Sequence, residues 1–129
     1  MSLKAKIMVV EDNIDEAKLI KMTLEPEGYE VITALNGKEA KEKVAKEKPE
    51  FFILDVMMPE MDGFAFCSWI RSNKEFKETP IVLLTGVGEH IYESKYPLKG
   101  VMEADADEYL EKPLKPEVLL ETISRLLKT

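Results

Sequence analysis

Cysteine and histidine are almost missing from this chain, which has only Cys67 and His90 among its 129 residues. One cysteine closes no internal disulfide, and one histidine in a polar stretch builds neither a zinc site nor a Ser-His pair by itself. Disulfide scaffolds, zinc domains and triad hydrolases therefore drop out at the start. Cys67 falls at helical spacing with Phe64 and Ile70 and is expected in a core, and His90 is expected on the surface. A basic excess is lacking too. With 18 Lys and Arg against 25 Asp and Glu, the net charge of −7 argues against a general nucleic-acid or membrane surface. No segment approaches the roughly 20 apolar residues of a membrane span. Met1-Ser2-Leu3-Lys4 carries no apolar signal core. The expectation is a cytoplasmic protein with one domain over residues 1–129, ordered from about residue 4 to 128.

Apolar residues come in short continuous runs. Ile7 to Val10 ends in Glu11-Asp12, Phe51 to Leu54 ends in Asp55, and Ile81 to Leu84 ends in Thr85. Runs of four apolar residues bounded by polar ones predict strands buried on both faces. Val31-Ile32 and Glu108-Tyr109-Leu110 predict two shorter strands. Helical patterns lie between them. Asn13 with Glu16, and Asn36 with Glu39, read as capping boxes. The first opens a stripe of Ile14, Ala17, Ile20 and Leu24 that stops before Pro26, and the second opens a stripe of Ala40, Val44 and Ala45. A third helix is expected from Asp62 with Phe64, Cys67 and Ile70 inward. Phe66 and Trp69 beside that stripe are read as packing. A last helix near Pro116 carries Val118, Leu119, Ile123, Leu126 and Leu127. Lys74 to Thr79 reads as a loop, and the stretch from Gly86 to Asp105, cut by Gly88, Pro97 and Gly100, as a broken helix. Five alternations of strand and helix predict an α/β fold with a parallel sheet covered on both faces.

Chemistry-bearing side chains mark the strand ends: Glu11 and Asp12, then Asp55, Thr85 and Lys112. In an open parallel sheet, ligands gather outside the carboxyl ends of the strands. Each residue alone has an ordinary explanation, Asp55 as a turn residue and Lys112 as a solvated charge. Together they ask for more. Three converging carboxylates repel one another, and a hard divalent cation with oxygen ligands is the usual resolution. Mg²⁺ fits a site of few carboxylates better than Ca²⁺ does. A lysine and a hydroxyl at the same edge suit the remaining oxygens of a phosphoryl group, so the set implies phosphoryl transfer.

The ordered motifs Glu11-Asp12, Asp55-Val56-Met57-Met58-Pro59 with Asp62-Gly63, Leu84-Thr85-Gly86, and Ala106 to Pro113 resemble the response regulator receiver domains of two-component signalling systems, chemotaxis regulators included. The likeness covers essentially the whole chain. It implies a flavodoxin-like, doubly wound five-stranded parallel sheet of order 2-1-3-4-5. It also implies that Asp55 takes a phosphoryl group from a phosphohistidine on a sensor histidine kinase or a histidine phosphotransfer protein. Asp12, Asp55 and the Met57 backbone carbonyl would ligate Mg²⁺, with Glu11 acting through a coordinated water. Lys112 would bind a phosphoryl oxygen, and its bond to Pro113 would be cis. Thr85 and Tyr109 would form the switch pair that shifts an existing two-state equilibrium and reshapes the surface of the last strand and last two helices. The implied partners are a kinase or phosphotransfer protein, a downstream protein target, and a second copy in a phosphorylation-driven homodimer.

Two departures from the family pattern are visible. The segment between Thr85 and Lys112 is longer than usual and holds Pro97, and Asp105 stands where the family commonly has Gly. The longer segment is expected either to alter partner choice or to be a tolerated surface insertion. Met57 and Val87, flanking the route of the attacking water, cannot hydrogen-bond it, so slow self-dephosphorylation is expected. The chain is expected not to be an enzyme beyond assisting its own phosphorylation and dephosphorylation. An aspartyl-phosphate hydrolase typically has a second acid two residues after its nucleophile, and Met57 stands there. A receiver-like module that binds partners without phosphorylation is the alternative. No output domain is expected within these residues, which suit either a stand-alone receiver or a part of a larger regulator or hybrid kinase.

Overall fold

The computed structural model describes residues 4–56, 63–86 and 106–127. Five strands, Lys6–Val10 (β1), Glu30–Ala34 (β2), Phe51–Asp55 (β3), Ile81–Thr85 (β4) and Glu108–Glu111 (β5), pair in parallel in the order β2-β1-β3-β4-β5. This is the flavodoxin-like order that the resemblance implies. Every residue of β3 and β4 is buried, as expected of continuous apolar runs at the centre of a parallel sheet. Burying each large side chain there contributes about 1.5–3 kcal/mol relative to exposure.

Four helices are described: Ile14–Leu24 (α1), Gly37–Glu47 (α2), Gly63–Ser72 (α3) and Pro116–Leu127 (α4). They divide between the two faces of the sheet. Ile20 and Leu24 of α1 and Leu119 and Ile123 of α4 cover Ile7, Val9, Phe51 and Ile53. Ala40 and Val44 of α2 with Phe64, Phe66, Cys67 and Ile70 of α3 cover Met8, Val10, Phe52 and Leu54. Alternate residues of one strand thus feed two cores, and the fold is doubly wound. Cys67 and Phe66 are fully buried, and Trp69 stacks on Phe66 with ring centroids 5.4 Å apart, so the α3 aromatics do pack.

The helix starts differ from the sequence reading in one respect. Asn13 and Asn36 cap α1 and α2 by accepting from the backbone N–H groups of Glu16 and Glu39. The reciprocal half of each capping box is not formed as expected. The Asn13 N–H donates to Glu11 Oε2, and Glu39 Oε2 accepts from Leu35 rather than from Asn36. The Glu16 side chain is left for another partner. Ile14 and Ala45, assigned to apolar stripes, are exposed, because each sits at the helix margin that turns away from the sheet.

Lys74–Phe76, expected as loop, forms a 3₁₀ turn. The Asn73 side chain accepts from the Glu75 N–H, and Phe76 is buried edge-on against Phe52 at 5.9 Å. One buried aromatic anchors an otherwise polar segment. Arg71 completes the corner: Nη1 donates to the carbonyls of Phe76, Lys77 and Thr79, and Nη2 to Asp107 Oδ2. The same Asp107 oxygen accepts from the Ile81 N–H, tying α3 to the start of β4 and β5. The expectations for Met57, Asp62, Val87, His90, Pro97 and Asp105, and for a broken helix in the Gly86 to Asp105 stretch, concern residues outside the described ones, Gly86 alone excepted.

Candidate functional site

Strand register builds the site. Val10 pairs with Leu54, so Glu11, next along the chain, comes beside Asp55 at the carboxyl edge of the sheet. Leu84 pairs with Asp55 on the other side, placing Thr85 one step beyond. The carboxylates of Glu11, Asp12 and Asp55 each offer an oxygen within 4.8 Å of the others. Glu11 and Asp55 are buried and Asp12 is exposed, so the cluster is a pocket with an open side. The end of β3 is held against the start of α3. The Gly63 N–H donates to the Val56 carbonyl, and a Cβ built on Gly63 would lie 2.7 Å from the Asp55 carbonyl oxygen and 2.9 Å from the Val56 Cα. Only glycine lets α3 start this close to the Asp55 backbone.

A cation from β5 reaches across β4 into the pocket. Lys112 follows the last residue of β5, and its N–H donates to the Thr85 carbonyl at 2.7 Å. Its Nζ lies 3.0 Å from Glu11 Oε1, 3.4 Å from Asp55 Oδ1 and 2.6 Å from Glu16 Oε2. The Lys112–Pro113 peptide is cis. Burial and the negative charge of Asp55 push the Glu11 carboxyl up to about 9. Glu16 lies below the usual carboxylate range: burial raises it, but the hydrogen bonds with Lys112 and Glu11 outweigh that. The neighbouring carboxylates raise Lys112 above its ordinary value against the opposing effect of burial. The ammonium is thus a fixed positive charge.

Glu11, Asp12, Asp55 and Lys112 are therefore brought together, with Thr85 buried beside them. Tyr109 pairs in register with Leu83 and packs on the core under α2 and α3. Leu83 and Thr85, two residues apart on β4, point to one face of the sheet, so Thr85 and Tyr109 share that face. Glu16 was not expected in the pocket. Its signal was its place four residues before buried Ile20, on the sheet-facing side of the first turn of α1, but the capping-box reading already accounted for it. A wide concavity of about 580 Å³ opens at the opposite edge, near Pro49, Phe76 and Pro80; its three lysines and three glutamates converge on no common charge.

Residues 7–124 match the family model of the response regulator receiver domain. The chain belongs to that family. A relative, the probable transcriptional regulator ycf27 of Pyropia yezoensis, is 38% identical over 97% of the receiver but only 48% of its own length. The receiver thus spans about half the length of that curated relative. Among solved structures, the chemotaxis protein CheY4 of Vibrio cholerae is 36% identical, with TM-score 0.83 over 95% of the receiver and 98% of CheY4. The receiver domain of sensor histidine kinase PA1611 from Pseudomonas aeruginosa shares the fold at 24% identity and TM-score 0.83, over 97% of this receiver and 98% of that chain. It was solved with a magnesium ion coordinated in its active-site cleft.

The donors present suit such an ion. Three carboxylates offer hard oxygen atoms within 4.8 Å of one another, next to one cation among the described residues, Lys112, which does not balance them. Among the described residues too few protein oxygens converge for a calcium cage, whereas Mg²⁺ is satisfied by one or two carboxylates plus waters and phosphate oxygens.

Proposed function

We propose that this receiver is a phosphoacceptor switch that takes a phosphoryl group from a phosphohistidine onto Asp55. The observation that carries the reading is the placement of Asp55: buried, terminal on β3, and 3.4 Å from the Lys112 ammonium beside two further acids. A carboxylate oxygen of Asp55 attacks phosphorus. The new O–P bond forms as the P–N bond to imidazole breaks, and the electron pair leaves on the imidazole nitrogen, which takes a proton. Lys112 donates an N–H to a phosphoryl oxygen and balances its charge. Asp12 and Asp55, with Glu11 behind them and the Met57 carbonyl as a further donor, would hold Mg²⁺, which when bound shields the negative charge that gathers on transfer. The Thr85 hydroxyl moves toward the added group and Tyr109 turns inward, shifting the surface offered to a downstream protein.

The phosphodonor partner in this reading is a sensor histidine kinase or a histidine phosphotransfer protein, and the output passes to a separate protein target or to a second copy of the receiver. The protein assists its own phosphorylation and dephosphorylation and turns over no other substrate. No helix among the described residues is long and apolar enough to cross a membrane. Intact-mass spectrometry after incubation with acetyl phosphate tests the reading. One added phosphoryl group is expected, dependent on Mg²⁺ and missing in Asp55→Asn. No adduct from either acetyl phosphate or a phosphorylated histidine kinase, with no Mg²⁺ binding in a titration, would replace it with a module that binds partners without phosphorylation.

A further inference from the structure

We propose that Glu16 is a positioning residue that holds the Lys112 ammonium toward α1, so that a phosphoryl group on Asp55 must draw Lys112 away from Glu16. This inference rests on the phosphoacceptor reading above. The contact order supports it. Lys112 Nζ lies closest to Glu16 Oε2, at 2.6 Å, with Glu11 Oε1 at 3.0 Å and Asp55 Oδ1 farthest, at 3.4 Å. The residue that must serve the acceptor is bound more closely to a side chain outside the acidic cluster. Glu16 is also free to do this. The Asn13 N–H that a capping box would give it goes to Glu11 Oε2, while the Glu16 N–H stays fixed on the Asn13 side chain. The helix start thus anchors the Glu16 backbone and leaves its carboxylate to Lys112 and, beside it, to Glu11.

The chemistry sets the direction of the effect. An ammonium has three N–H donors, and carboxylates of Glu11, Glu16 and Asp55 surround this one. Its hydrogen bonds go to Glu11 and Glu16, with Asp55 a longer ion pair, so a phosphoryl oxygen on Asp55 competes with the two nearer partners for the ammonium. Glu16 is the partner whose loss is least costly, because its side chain is 41% exposed and water can replace the lysine, whereas Glu11 is buried at 1%. Its hold on Lys112 therefore competes with the phosphoryl group and slows capture.

Glu16→Gln keeps the size of the side chain and removes its charge, while Asp15→Asn removes a charge from an exposed neighbour on the same turn that touches neither Lys112 nor the cluster. With saturating Mg²⁺ and acetyl phosphate as donor, the intact-mass time course should show Glu16→Gln labelled roughly three- to ten-fold faster than wild type, the range of a screened charge-assisted hydrogen bond. Asp15→Asn should match wild type. A second readout needs no phosphoryl transfer. In metal-free protein the ¹⁵N ammonium signal of Lys112, located by its loss in Lys112→Arg, should be protected in wild type and exchange-broadened in Glu16→Gln. Glu16→Ala serves as a second variant if Glu16→Gln folds poorly.

Equal labelling rates in wild type and the Glu16 variants, or equal acceleration by Asp15→Asn, would overturn the proposal while leaving Asp55 as acceptor. An unchanged ammonium signal would overturn it as well. A wild-type protein that takes no phosphoryl group at all would instead remove the reading on which the proposal stands.

Discussion

At the pocket, the charges of single residues oppose the fold. Glu11 and Asp55 are buried side by side with Asp12 at the mouth, and Lys112 is the cation among the described residues that reaches them. Two like charges here are costly, and the proton that Glu11 takes up is one way of meeting that cost; removing the Asp55 charge should lower it. Asp55→Asn in metal-free buffer is expected to raise stability by about 1 kcal/mol, or roughly 3–5 °C in Tm, measured by calorimetry with a chelator present. A fall in Tm would mean that the Asp55 to Lys112 attraction outweighs the repulsion. Glu11 supplies a pH dependence. Its carboxyl, raised from 4.5 to about 9 by burial first and by Asp55 second, binds a proton in the folded chain that the unfolded chain has already released. Between those values the folded state holds more protons, so its stability falls as pH rises. The metal-free Tm should decline from about pH 5 to pH 9, and Glu11→Gln should flatten that decline. At this scale the sequence showed which residue types stand at the strand ends. It did not show Glu16 pairing with Lys112, because the partners are 96 residues apart and a nearer explanation was at hand.

Elements place these residues through backbone contact. α3 begins against the backbone of Asp55 and Val56 at the end of β3, and Gly63 is the point of contact. Gly63→Ala puts a methyl group into backbone rather than into a flexible side chain, so the end of β3 or the helix must move. A loss of about 1–3 kcal/mol in urea unfolding is expected, together with slower labelling of Asp55. Stability lost without any change in labelling would show that the helix, and not the end of β3 at Asp55, gives way. The helix caps were legible because capping is local: Asn13 and Asn36 act on groups three residues away. The turn at Lys74–Phe76 was not legible. Its composition is polar, and what orders it is Phe76 on Phe52 and the reach of Arg71 to three carbonyls five to eight residues ahead. Such contacts leave no period in a sequence.

For the whole molecule, Mg²⁺ and folding should be linked. A cation that binds the assembled cluster and not the unfolded chain stabilises by RT ln(1 + [Mg²⁺]/Kd), about 1.4 kcal/mol at ten times Kd. The Tm of the receiver should therefore rise with Mg²⁺, and the rise should be much smaller in Asp55→Asn and Asp12→Asn; equal rises in all three would place the ion elsewhere. The sequence alone determined the α/β class, the succession of strands and helices, the central place of the Phe51 to Asp55 run, and the acids, hydroxyl and lysine waiting at the strand ends. Local rules govern these features, since burial on both faces demands continuous apolar runs and capping demands a short polar side chain. The strand order came with the family resemblance, not with any periodicity. Only the tertiary structure decided that Glu11 lies beside Asp55, that Lys112 spans β4 to reach both, that Glu16 holds Lys112, and that Ile14 and Ala45 face outward. Those facts depend on the register between strands and the rotation of each helix on the sheet, which long-range packing sets after the local choices are made.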